Sequence, residues 1–104
     1  VNDTSHNAAK LELKDAERAA LTGVLDYGTV GALLDEGSKA IGSGRVAFID
    51  LQDVTAGDSA GLALLLEWLS VARAANRSLR YENMPAQLQQ LARLSEVEEL
   101  LVWG

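Results

Sequence analysis

The chain contains no cysteine, one histidine, one proline and one phenylalanine, and aromatic residues make up only 5% of it. Without cysteine there is no disulfide, no thiolate ligand for zinc and no thiol nucleophile, a composition that suits the reducing cytosol. The single histidine, His6, lies in the polar, aperiodic stretch 1–9, read as a flexible arm ahead of a domain spanning residues 10–104. It has no second ligand or nucleophile beside it and is given no role, so a Ser-His or Cys-His pair cannot be assembled within the domain. Positive charge is scarce as well: nine Lys and Arg against fifteen Asp and Glu leave a formal charge of −6. Such a balance argues against nucleic acid as a partner, because a nucleic-acid surface needs clustered Lys and Arg. The run Leu62–Leu66 is far short of the roughly 20 apolar residues that span a bilayer. No charged-then-apolar leader precedes Lys10, so neither direct membrane insertion nor a secretory signal is expected. The 48% of hydrophobic residues suffices for one modest core.

The chain is organised around Ile49–Leu69. Val46, Ala47, Phe48 and Ile49 form a short run rich in strand formers. A polar loop then leads to a helix opening at Asp58-Ser59 and running to about Ala75. Leu62, Leu65, Leu66, Leu69 and Ala72 recur on it at i, i+3, i+4, i+7 and define a core-facing stripe. Asp58 is placed to cap the helix, accepting hydrogen bonds from the free N–H groups of its first turn.

Ahead of this stretch, Lys10–Lys14 alternates with period two and predicts an edge strand; Asp15-Ala16-Glu17 turns it into a second strand over Arg18–Val24. Thr29 is positioned to cap a helix from Val30 to about Ile41, with Val30, Leu33, Leu34 and Ile41 as its apolar face and Gly42-Ser43-Gly44 as its stop. Behind it, Asn76-Arg77-Ser78 ends the central helix and Leu79–Glu82 reads as another strand. Pro85 suits the first turn of a further helix that buries Leu88, Leu91 and Ala92. Ser95 and Glu98 have capping-box spacing for a last helical turn, and Val102 with Trp103 reads as an apolar C-terminal tuck. The order β-β-α-β-α-β-α-α predicts an α/β domain with a mixed, partly parallel sheet of about four strands and helices mainly on one face.

The candidate chemistry is sparse. Asp50, Asp53 and Asp58 are close in sequence, but a cap, a strand end and a loop account for them better than a metal site, and no cofactor is implied. Gly57 and Gly61 lack the lysine of a phosphate-binding loop. The expectation is a protein that is not an enzyme. Docking is the alternative. Leu64, Trp68 and Val71 form a second apolar strip, read for Leu64 and Val71 as packing against neighbouring helices and for Trp68 as an interface anchor. Ala60, Gly61 and Ala63 keep the first turn slim, either for a partner's approach or for packing onto the sheet. Ser59, on that turn, is either one more helix-start hydroxyl or a site where phosphorylation adds charge.

Asp50-Leu51, Val54 and Asp58-Ser59-Ala60-Gly61-Leu62, preceded by Leu21-Thr22-Gly23-Val24-Leu25-Asp26, resemble the two motifs of the STAS domain family. The likeness extends over Leu11–Leu101. Within the family, Gly61–Leu66 followed by Ala72-x-x-x-Asn76 is most similar to the MlaB group, the cytoplasmic subunits of Mla phospholipid ABC transporters. That resemblance implies a non-catalytic accessory subunit that binds the transporter ATPase, MlaF, in a complex with its permease. Such a subunit reaches the inner membrane only through its partner and supports outer-membrane lipid asymmetry. It implies further that Ser59, the loop Thr55-Ala56-Gly57, Asp58 and the small residues Ala60, Gly61 and Ala63 form the contact, with the helix from Pro85 adding to it. The second resemblance is to anti-sigma-factor antagonists, whose serine after the aspartate is phosphorylated by a serine kinase anti-sigma factor. Ser59 matches that position, whereas Ala60 and Ala63 depart from the D-S-[ST]-G-L-G pattern of those proteins. A nucleotide-binding STAS domain is a weaker third, since nothing basic lines the loop.

Overall fold

Residues 9–101 are described by a computed structural model; His6, Val102 and Trp103 lie outside them. The elements are β1 (Lys10–Asp15), β2 (Glu17–Leu25), α1 (Val30–Gly42), β3 (Val46–Gly57), α2 (Ser59–Ala74), β4 (Arg80–Glu82), α3 (Ala86–Leu94) and a short 3-10 turn, Glu98–Leu100. The sheet runs β1-β2-β3-β4, with β1 antiparallel to β2 and the other pairs parallel. The mixed four-stranded α/β architecture expected from the sequence is therefore present.

Three rows of paired residues show how the sheet divides its faces. Arg18, Phe48 and Arg80 lie side by side, then Ala19, Ile49 and Tyr81, then Ala20, Asp50 and Glu82. The middle row is buried and looks towards the helices; the Tyr81 hydroxyl donates to the Leu65 carbonyl of α2 at 2.7 Å. The row before it looks the other way. There the Arg18 guanidinium stacks 4.7 Å from the centre of the Phe48 ring and pairs with Glu82 from the third row. Both crossovers, β2-α1-β3 and β3-α2-β4, step in the same direction along the sheet, so right-handed connections put both helices on one face.

Two expectations about the central segment need correction. The segment Asp50–Gly57 is not a polar loop but the second half of β3, hydrogen-bonded to β2 as far as Leu25 opposite Gly57. Register irregularities between Ala20 and Thr22 and between Gly23 and Val24 shift its phase, so buried positions fall at Ile49, Leu51, Val54 and Gly57 and break the period-two alternation. The second correction concerns α2. Its buried residues are Gly61, Leu62, Leu64, Leu65, Trp68 and Ala72, while Leu66 and Leu69 are only partly buried. The helix is covered on two sides, by the sheet and by α1, so one sequence stripe could not describe it.

Trp68 is the centre of that second side. It is 0% exposed, its ring lies where a side chain on Gly37 of α1 would be, and its Nε1 donates to the Leu34 carbonyl at 3.3 Å. Truncating a tryptophan so enclosed costs about 3–5 kcal/mol. It holds α1 on α2 and has no surface left for a partner.

The remaining differences are at element ends. Thr29 occupies the N-cap position of α1, but its hydroxyl faces back into the turn, accepting from the Asp26 N–H at 3.0 Å and donating to the Val24 carbonyl at 2.7 Å. Pro85 stands at the N-cap of α3, one place ahead of the first turn, where an extended ψ suits the residue before a helix. The Ser95–Glu98 capping box does not form: Ser95 closes α3 and Glu98 pairs with Arg93 at 2.9 Å. At the foot of the domain Gly44 has φ +81°, a conformation open to glycine, and the Arg77 guanidinium packs on it.

Candidate functional site

The parallel strands β2 and β3 end together, and their ends place everything of interest. The Asp58 N–H donates to the Leu25 carbonyl at 3.1 Å, so the chain leaves β3 beside the end of β2. There Asp58 turns into α2 and its Oδ1 accepts from the N–H groups of Ala60 at 2.9 Å and Gly61 at 3.4 Å. The cap read from the sequence is thus made, and it leaves Ser59 exposed on the first turn.

Gly61 explains part of the small-residue pattern. A Cβ there would stand 2.8 Å from both the Cβ and the carbonyl oxygen of Leu25. Its smallness serves packing of α2 onto β2, and it is buried. Gly57 is buried too, against the Leu88 side chain of α3, and its N–H donates to the Gln87 Oε1 at 3.2 Å. Ala63, Thr55, Asp58 and Ser59 are exposed, and Ala56 and Ala60 are half-buried. Of the residues expected at a contact, then, Thr55, Ala56, Asp58, Ser59, Ala60 and Ala63 reach the surface, whereas Gly57, Gly61 and Trp68 act from beneath it.

Two depressions flank the exposed serine. One, of about 260 Å³, lies between the α2 start and α3 and is lined by Gly57, Asp58, Ser59, Gln87, Gln90, Leu91 and Leu94. The other, of about 340 Å³ and largely apolar, lies between α1 and α2 over Val30, Gly31, Leu34, Ala60, Ala63, Leu64 and Glu67. Tyr27 at 89%, Leu94 at 81% and Leu34 at 39% exposure add unburied apolar surface. The contribution of α1 was missed from the sequence. Its signal is the pair Leu33-Leu34: neighbours on a helix point about 100° apart, and here Leu33 is buried while Leu34 stays at the surface.

The three aspartates do not converge. Asp50 Oδ1 accepts from the Gln52 N–H at 2.9 Å and from Asn83 Nδ2 at 2.8 Å, Asp53 is exposed on β3, and Asp58 is the cap. Among the described residues no three His, Asp or Glu side chains gather in a way that could hold a metal ion, and no helix is long and apolar enough to cross a membrane.

Solved structures with the same arrangement define the fold. The anti-sigma-factor antagonist SpoIIAA in its unphosphorylated form is 21% identical, with a TM-score of 0.69 over 92% of this chain and 87% of that one. The phosphorylated form of SpoIIAA, from Bacillus, gives 21%, 0.67, 92% and 90%. An anti-sigma factor antagonist from Mycobacterium paratuberculosis gives 18%, 0.73, 91% and 82%. No curated protein matches the chain in sequence. The model of one protein family, described as MlaB, STAS domain, matches residues 10–102. The chain therefore belongs to the MlaB-type STAS domain family.

Proposed function

We propose that this chain is a non-catalytic docking subunit that binds the ATPase of an Mla-type phospholipid ABC transporter and supports its assembly and activity. The observation that carries the reading is membership of the MlaB-type family over residues 10–102. The surface is consistent with it: an exposed Ser59 at a capped helix start, with depressions on either side and unburied Tyr27, Leu34 and Leu94 nearby. Asp58 orders the helix start, Ser59 with Ala60 and Ala63 forms the middle of the contact, and α1 and α3 supply its sides. The domain reaches the cytoplasmic side of the inner membrane through that partner, together with the permease. A tagged pull-down from the native cell, with bound proteins identified by mass spectrometry, tests this: an ABC ATPase with its permease supports the reading.

A second reading, an anti-sigma-factor antagonist controlled by phosphorylation of Ser59, is favoured by the likeness to SpoIIAA in both of its forms. Recovery of a kinase-like anti-sigma factor in the pull-down, with phosphate on Ser59 in the unbound pool, would replace the first reading by this one.

A further inference from the structure

Lys and Arg are absent from three stretches of the sequence, 19–38, 46–72 and 81–92. These are most of β2 with the first two turns of α1, then β3 with nearly all of α2, and the last two residues of β4 with most of α3. Because β2 and β3 are parallel and both lead into helices, the Ser59 end of β2, β3 and the helices that follow them falls within these stretches. The basic residues Arg45, Arg73, Arg77 and Arg80 lie at or near the opposite ends of those elements. Helix dipoles explain part of this, since they favour acids at helix starts and bases at helix ends, and Asp58 is such a case. The dipole effect fades beyond the first turn, however, and does not account for Asp35 in the second turn of α1 or Glu67 in the third of α2.

Glu67 lines the apolar groove between α1 and α2, and Asp35 is exposed on α1 one turn beyond the groove-lining Gly31. The groove therefore combines an unfilled apolar floor, Leu34 and Leu64, with a lining whose one charged residue is the acid Glu67 and which holds no Lys or Arg. We propose that it receives an apolar side chain presented by a Lys/Arg-rich segment of the partner protein. This rests on the docking reading and adds the chemistry of the partner's segment. A neutral or acidic segment would leave Glu67 facing apolar or like-charged surface, whereas a basic one offsets its charge and speeds encounter.

Gly31 provides a direct probe. A Cβ built on it meets nothing within 4 Å, so Gly31→Phe adds bulk at a groove-lining position without its Cβ overlapping the core. The test uses a synthetic helical peptide with leucines at i and i+4 flanked by lysines, and a twin with glutamates in their place, each titrated into the ¹⁵N-labelled domain. The lysine peptide is expected to shift the amides of Gly31, Leu34, Ala60 and Ala63, and the glutamate twin to leave them unmoved. Gly31→Phe should cut the affinity at least tenfold with no fall in melting temperature, and Glu67→Lys should cut it too. Shifts centred elsewhere, equal responses to both peptides, no response, or unimpaired binding by Gly31→Phe would each overturn the proposal. Failure of an ATPase to co-purify with the wild-type domain would instead strike the docking reading and leave the groove result standing.

Discussion

Two glycines on one helix give opposite predictions. Gly31 and Gly37 both belong to α1, and replacing glycine by alanine inside a helix stabilises it by up to about 1 kcal/mol, less in the first turn. At Gly31 nothing opposes the gain, because the new methyl group enters open space. At Gly37 the methyl group would overlap Cζ2 and Cε2 of the Trp68 ring and lie 2.7 Å from its Nε1. The ring is 0% exposed and cannot swing aside without disturbing its neighbours. Overpacking of this kind costs about 1–3 kcal/mol, and displacing the ring also endangers its hydrogen bond to Leu34, worth about 1 kcal/mol. After the propensity gain is subtracted, Gly37→Ala should lose roughly 1–3 kcal/mol, a fall in melting temperature of roughly 5–20 °C in a domain of this size. Gly31→Ala should melt a few degrees above the wild type. Thermal unfolding followed by circular dichroism measures both, and a Gly37→Ala domain as stable as the wild type would refute the packing of Trp68 against α1.

Asp58→Ala removes the acceptor for two N–H groups and should cost about 1 kcal/mol, read by denaturant unfolding; the first turn of α2 should lose amide protection while α3 keeps it. Gly61→Ala should be the more damaging change, by more than 1 kcal/mol, because its methyl group meets the Leu25 backbone and not a flexible side chain. Burial pushes the Tyr81 hydroxyl well above its ordinary range. A raised pKa means that its share of stability is complete below about pH 10, the unfolded value, and is lost as pH rises beyond it. Chemical denaturation across the alkaline range should therefore show a decline above about pH 10 that is smaller in Tyr81→Phe.

Much of this was legible in the chain. The helix cap at Asp58 was visible because an acidic cap followed by a leucine stripe has one local meaning, and the order of strands and helices along the chain followed from the alternation of periods. What failed did so for tertiary reasons. Trp68 looked like a surface anchor because its opposite number, Gly37, lies 31 positions away and carries no pattern that announces a tryptophan-sized gap. The second half of β3 looked like a loop because its register shifts against β2 erase the alternation that a strand normally shows. Ser95 and Glu98 had the right spacing for a capping box, but Arg93 offered the glutamate a charge partner. Within the candidate site, the exposed and the buried glycines and alanines could not be separated until the approach of Leu25 and Leu88 was known. The apolar groove was hidden for a similar reason, since it is formed by two helices that are distant in sequence.

The central claim, that the surface around Ser59 docks the transporter ATPase, is tested most directly by calorimetric titration of the purified ATPase subunit with the wild-type domain and with Ser59→Arg. The exposed position and the intact Asp58 cap predict a folded variant with an unchanged far-ultraviolet spectrum and an affinity at least tenfold lower. Equal binding of the two domains would contradict the claim.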